Sequence, residues 1–168
     1  MKSIGIFYGS TTGDCETIAG KIAAKLNVDT AYVKNISDLN SAAVSEYDVL
    51  LFGSSTWGYG DLQDDWESAI SLVESLNLSG KTVAIFGCGD SSSYSDTFCN
   101  AIGLIYDALT KTNANIVGAV STDGYSFSSS DAVREGKFVG LALDEVNESG
   151  KTDARIDAWI EEIKSEIA

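Results

Sequence analysis

The stretch KSIGIFYGSTTGDC, from Lys2 to Cys15, constrains the fold more than any other part of the chain. Ile4 to Tyr8 is a short apolar run, too short for a stable helix and closed by Gly9. The hydroxyl-rich turn Ser10-Thr11-Thr12-Gly13 follows. Ile18, Ile22 and Leu26 then recur at steps of four, with Ala19 and Ala23 beside them, which is the pattern of an amphipathic helix. The order is strand, tight loop, helix start. Amide groups at a helix N-terminus point at whatever occupies such a loop, and the helix dipole favours negative charge there. Three hydroxyls add further donors, so the turn suits a terminal phosphate. The plainer alternative is a turn whose Ser and Thr residues only cap the helix. The loop residues by themselves leave the two open.

Spacing excludes the neighbouring phosphate-loop types. No Lys follows Gly13, so this is not the nucleoside triphosphate loop G-x-x-x-x-G-K-[ST]. The dinucleotide pattern G-x-G-x-x-G is absent as well, since Gly87-Cys88-Gly89 has Ser92 at its third glycine position. Any phosphate would be held by hydroxyls and amides, without a side-chain cation.

At 168 residues the chain is long enough for one domain with a substantial core, and no repeat or linker divides residues 1–168. Twenty-five acidic against eleven basic residues give a net charge of −14. Duplex nucleic acid and anionic membrane surfaces would repel such a molecule, whereas a basic protein would be attracted. Acidity that serves only solubility is the bland alternative. Cys15, Cys88 and Cys99 are odd in number and without C-x-x-C spacing, as expected of reduced thiols. No signal-peptide pattern or membrane-length apolar run is present, so the expected location is cytoplasmic. The chain has no histidine, which excludes a Ser-His triad, leaves no side chain with an ordinary pKa near neutrality and makes a zinc site improbable.

Strand-like runs recur at Thr30–Val33, Val49–Phe52, Thr82–Phe86 and Ile116–Val120. Helical patterns alternate with them: a weak one at Ser41–Ser45, then Leu62–Ser75, Asp96–Thr112 and Thr152–Ile167. This alternation predicts an α/β three-layer sandwich around a five-stranded parallel sheet, with order 2-1-3-4-5 and its switch point between strands 1 and 3. That order is taken from a known doubly wound fold and not from the spacing. The polar segment Ser121–Glu135 does not fit the alternation. It reads as an insertion, over 121–136, into a last strand that resumes at Lys137–Leu141; a sixth strand is the alternative.

Ligands of open α/β sheets bind beyond the carboxyl ends of the strands. After strand 3 comes Ser54-Ser55-Thr56-Trp57-Gly58-Tyr59-Gly60-Asp61, and after strand 4 comes Gly87-Cys88-Gly89-Asp90-Ser91-Ser92-Ser93-Tyr94. A Trp and a Tyr on facing polar loops make a slot for a flat conjugated ring, each stacked face adding roughly 0.5–1.5 kcal/mol beyond burial. Either aromatic alone would more readily be ordinary packing.

Taken together, Gly9 to Cys15, Thr56 to Gly60, Gly87 to Tyr94, Phe98, Ala101, Gly103 and Tyr106-Asp107 resemble flavodoxins. Thr122-Asp123-Gly124-Tyr125, Phe127, Phe138 to Glu145, Arg155-Ile156 and Trp159 resemble the long-chain class, whose last strand carries an insertion. The resemblance spans the whole chain. It implies noncovalent FMN and a low-potential one-electron carrier, not an enzyme, that shuttles mainly between semiquinone and hydroquinone. By analogy, Ser10, Thr11, Thr12, Gly13, Asp14 and Cys15 hold the phosphate. Ser55, Thr56, Trp57, Gly58, Tyr59 and Gly60 wrap one side of the ring, with Trp57 stacked. Cys88, Gly89, Asp90, Tyr94 and Phe98 frame the other, and no metal is implied. The Gly58 carbonyl, freed by rotation of the Gly58–Tyr59 peptide, is the expected acceptor for flavin N5, and Asp61, Asp64, Asp65, Glu67 and Asp90 would disfavour the reduced anion. Basic redox partners are implied, a reductase as donor and low-potential enzymes as acceptors, with the chain itself a monomer. Cys15 and Ser55 depart from the family pattern, where Thr and Pro are usual, and Val146 replaces an Asp often found near the ribityl chain. The rival functions are an FMN-dependent quinone or flavin reductase, and a signalling receiver domain. The receiver needs clustered acids where Tyr8, Gly9 and Ser10 stand, and the reductase needs basic residues near the ring loops.

Overall fold

The computed structural model describes residues 2–168. In chain order the elements are β1 (Ile4–Gly9), α1 (Asp14–Leu26), β2 (Val33–Asn35), α2 (Ser41–Val44), β3 (Val49–Trp57), β4 (Asp61–Leu62), α3 (Asp64–Ser75), β5 (Thr82–Cys88) and α4 (Asn100–Leu109). They continue with β6 (Asn115–Val117), β7 (Val120–Ser121), β8 (Val133–Arg134), β9 (Lys137–Phe138), β10 (Leu141–Leu143) and α5 (Thr152–Ile167). The central sheet runs β10-β5-β3-β1-β2, every neighbouring pair parallel.

Side chains alternate across each strand, so one strand feeds two cores. Phe7, Leu50, Phe52, Val83 and Ile85 point to the face covered by α3 and α4. Ile6, Val49, Leu51, Ala84 and Phe86 point to the face covered by α1 and α5. In α5 the buried positions Ile156, Trp159, Ile163 and Ile167 form the apolar stripe. Burial on both faces explains the near-continuous apolar runs of β3 and β5.

Several boundaries differ from those read off the sequence. Thr30–Tyr32 forms a 3-10 turn, because the Asp29 carboxylate accepts the Ala31 amide at 2.8 Å, and the strand starts only at Val33. Asp61-Leu62 pairs antiparallel with Thr56-Trp57, so α3 begins at Asp64, where the Gln63 side chain accepts the Asp65 amide. The fourth helix is shorter than predicted at both ends. Ser95–Thr97 is a 3-10 turn, Cys99 adopts a left-handed φ of 54°, and the helix starts at Asn100.

The last strand is in two pieces. β6 lies beside Thr82–Ala84 and β10 beside Phe86–Cys88. Lys137-Phe138, expected to resume that strand, instead forms the middle of a small antiparallel sheet, β7-β9-β8. An aromatic cluster drives this, with Phe138 fully buried against Tyr125, Phe127 and Phe98 at ring separations of 4.8–6.0 Å. Gly140 then lets the chain pass close to β5, since a Cβ there would lie 2.5 Å from the Ile85 carbonyl oxygen.

Candidate functional site

A cleft of about 310 Å³ opens at the carboxyl ends of β1, β3 and β5, lined by the last residues of β3 and β5, by residues that follow the three strands and by Val146. A larger cavity of about 580 Å³, beside Tyr106, Arg134 and Lys137, lies away from these strand ends. Trp57 and Tyr94 both line the cleft and are 39% and 42% exposed. A large aromatic ring left half in water, without a packing partner on its outer face, is a surface prepared for another ring. The Trp57 indole is held by donation to Ser55 Oγ at 2.9 Å. Thr56 lines the same wall, but its hydroxyl accepts the Ala101 amide at 3.1 Å and so caps α4.

Thr12 and Asp14 bring the first loop to the cleft. Gly13 takes φ 94° at the N-cap of α1, and no side chain caps that helix. The Ser10 hydroxyl accepts the Gly13 amide at 3.1 Å, one residue short of the helix, so the capping alternative does not account for these hydroxyls. The Thr11 hydroxyl accepts from Gln63 Nε2 at 3.1 Å, which leaves its proton free to point elsewhere. Gln63, 3% exposed, was hidden to sequence reasoning inside what looked like the start of a helix. The loop thus offers uncapped amides at the positive end of a dipole together with hydroxyl donors, which is a donor set for a phosphate.

Not every predicted contact reaches the cleft. Cys15, in the first turn of α1, is fully buried on the side of the helix that packs on the sheet, so its thiol cannot serve as a phosphate donor. Phe98 is 1% exposed and packs into the aromatic cluster beneath the insertion. Gly60 is buried in its turn at φ 99°, where a Cβ would meet the Asn100 amide at 2.6 Å. Tyr59 is 89% exposed and does not line the cleft. Asp65 is occupied by Asn35 Nδ2 and Gln63 Nε2, at 3.1 and 3.2 Å. Gly58, Cys88, Gly89 and Asp90 line the cleft. Cys88 lies beside the Cys15 thiol, and this neighbour together with burial pushes its own thiol well up, so it is no nucleophile.

Asp90 organises the second wall. Its carboxylate accepts the Ser92 and Ser93 amides at 3.1 and 2.9 Å and Asn147 Nδ2 at 2.8 Å. Burial pulls its pKa upward, but the donors from Ser93, Asn147 and Ser92 outweigh it and hold the carboxyl below its ordinary value. The folded value therefore lies below the unfolded one, so this contribution to stability is complete above about pH 3.9 and is lost as pH falls through the lowered value. In an acid titration followed by NMR, the Ser92 and Ser93 amide signals are expected to hold through the ordinary Asp range and move only below it. Asp90→Asn should abolish that transition. A midpoint at the ordinary value would show the donors to be ineffective.

The chain matches the flavodoxin family model over residues 6–159. The chain belongs to the flavodoxin family. It is 42% identical over 166 residues to the flavodoxin of Nostoc sp. strain PCC 7120, covering 99% of this chain and 98% of that protein. It is 40% identical over 168 residues to flavodoxin 1 of Escherichia coli K12, covering 99% and 96%. Among solved structures, a Fusobacterium nucleatum flavodoxin bound to flavin mononucleotide superimposes with a TM-score of 0.91 at 32% identity, covering the whole of both chains. As in other flavodoxins, a mostly parallel central sheet has helices on both faces. Among the described residues, no helix is long and apolar enough to cross a membrane, and no cluster of three potential metal ligands occurs.

Proposed function

We propose that this chain holds noncovalent FMN in the cleft and is a low-potential one-electron carrier of the long-chain class, working mainly between the semiquinone and hydroquinone of the flavin. The observation that carries the proposal is the pair of half-exposed aromatics, Trp57 and Tyr94, on a cleft that leads to the uncapped N-terminus of α1. Bound FMN supplies the one-electron chemistry; the protein binds it, screens it and sets its potential. Ser10, Thr11, Thr12 and the amides at the start of α1 hold the phosphate. Trp57 and Tyr94 cover the ring and exclude water from it. The divided last strand and its small sheet support the long-chain class.

Gly58 has a further part. It already takes φ 51° at the cleft, a conformation in which a residue with a Cβ pays roughly 1–2 kcal/mol. A peptide free to turn there can present its carbonyl oxygen as a hydrogen-bond acceptor at the ring. Space is not the constraint, since a Cβ would meet only Asp61 Oδ2, at 3.3 Å.

No Lys or Arg lines the cleft, which supports a carrier over an FMN-dependent reductase needing a second, anionic nicotinamide cofactor. Asp14, Asp61, Asp64 and Glu67 stand exposed near it and suit brief, salt-sensitive docking of basic redox partners, a reductase as donor and low-potential enzymes as acceptors. The proposed state is a cytoplasmic monomer.

Stepwise reduction of the FMN-loaded protein under visible light absorbance tests this reading. A long-wavelength band from the one-electron state, filling and then emptying in two separated steps, is expected. Gly58→Ala should lower the equilibrium constant for forming the one-electron state about tenfold, from a strain near 1.4 kcal/mol in the turned peptide, and the band should weaken with it. Failure of the wild-type protein to take up FMN, or steady NADH oxidation by the protein alone, would overturn the assignment.

A further inference from the structure

Asp144 closes β10 and is fully buried, yet it forms no ion pair among the described residues. Its charge is met by hydrogen-bond donors alone. The Ser91 amide donates to Oδ2 at 3.2 Å, and the Ser91 hydroxyl donates to the same oxygen. The Asn147 amide donates to Oδ1 at 3.0 Å, and Asn147 Nδ2 reaches both carboxylate oxygens at 3.2 and 3.1 Å. That same Nδ2 donates to Asp90 Oδ1 at 2.8 Å. An amide nitrogen carries two hydrogens, so Asn147 can serve both carboxylates at once. On the far side of Asp90, its backbone carbonyl accepts the Tyr94 amide at 2.9 Å. The links run unbroken from the end of the last strand, through Asn147 and Asp90, to the backbone of Tyr94, whose ring lines the cleft.

We infer that Asn147, anchored on the buried Asp144 carboxylate, is a positioning residue that holds the Asp90–Tyr94 loop and so aims Tyr94 at the ring of the flavin. Asn147 is exposed and lies outside the cleft lining, so it acts through the loop and not by touching the cofactor. Without the shared amide no side chain bridges the two carboxylates: Ser91 still donates to Asp144, and the Ser92 and Ser93 amides to Asp90, but each carboxylate is then held separately. The loop then samples other conformations, and the Tyr94 wall is paid for in ordering entropy each time a ring enters. Because the chain of contacts ends on the ring wall and not on the α1 loop, its loss falls on the ring and spares the phosphate contacts.

This inference rests on the proposed FMN site, and comparing FMN with riboflavin separates the two. Riboflavin has the ring and lacks the phosphate. Asn147→Ala is expected to weaken binding of both by the same factor, about tenfold for a lost hydrogen bond to charged groups. Asn147→Asp is isosteric but places a third carboxylate between two others, and should weaken both further. The visible band of bound flavin should shift in the direction that Tyr94→Ala shifts it. In a double-mutant cycle, adding Asn147→Ala to Tyr94→Ala should cost almost nothing more. Unchanged affinity for both flavins in Asn147→Ala and Asn147→Asp would overturn the inference, and so would full additivity with Tyr94→Ala. Absence of FMN binding by the wild-type protein would instead remove the functional reading beneath it.

Discussion

Trp57→Ala combined with Tyr94→Ala is expected to weaken FMN binding by between about thirtyfold and about twenty-five-thousandfold while leaving the flavin-free protein as stable as before. Stacking a conjugated ring on an aromatic side chain is worth about 1–3 kcal/mol by alanine substitution, so two walls amount to about 2–6 kcal/mol. Neither side chain supports the core. Each is roughly 40% exposed, and the single side-chain hydrogen bond at risk is the one from Trp57 to Ser55. Surface truncations of this kind stay within about 0.5 kcal/mol of wild-type stability. Titration of flavin fluorescence reads the affinity, and thermal melting of the flavin-free protein reads the fold. Riboflavin should lose as much as FMN, because both substitutions act on the ring. A lost melting transition would mean that the two aromatics are packing residues after all, and the site would need another location.

Trp66→Ala should do the opposite, costing about 3–5 kcal/mol of folding free energy, as large aromatic truncations in cores do. Trp66 is fully buried under the site, edge-on to Phe52 with ring centroids 5.5 Å apart. Its indole nitrogen donates to the Gly53 carbonyl at 2.7 Å, an acceptor that water would not reach once the indole is gone. The indole also floors the loop between β1 and α1, since a Cβ on Gly9 would lie 2.6 Å from Trp66 Cδ1. A domain of this size has roughly 5–15 kcal/mol in hand, so the loss takes a large share. In urea, the midpoint should fall with the slope unchanged. Trp66→Phe keeps most of the packed volume and should lose about 1–3 kcal/mol, chiefly from the unpaired carbonyl. Equal losses in the two variants would mean that the hydrogen bond, and not the ring, carries the effect.

The site residues that could be read in advance share one property: their chemistry conflicts with their surroundings in the chain. Trp57 and Tyr94 are large aromatics in glycine- and serine-rich loops, and Ser10 to Gly13 is a hydroxyl run between a strand and a helix. Cys15 and Phe98 belong to the same segments, yet their side chains turn inward, to the α1 face and to the aromatic cluster under the insertion. Position in a segment does not tell which way a side chain points once the backbone leaves regular structure, as it does at Cys99 with φ 54°. Gln63 and Asn147 were invisible for a different reason. Each acts across a gap in the chain, Gln63 on Thr11 and Asn147 on Asp90, and nothing in the local pattern marks a polar residue whose partner is more than fifty positions away.

The alternation of short continuous apolar runs with apolar stripes at steps near four was enough by itself to determine the layered α/β architecture, and the rule that ligands of open α/β sheets bind beyond the carboxyl ends of the strands then gave the end to search. Burial of period-matched faces is a local property, and it survives in the one-dimensional string. Only the tertiary structure decided where the last strand rejoins the sheet, which loop residues face the cleft, and how one buried carboxylate braces the wall opposite Trp57. Those outcomes depend on hydrogen bonds and ring contacts between segments far apart in sequence, whose energies exist only after the chain has closed on itself.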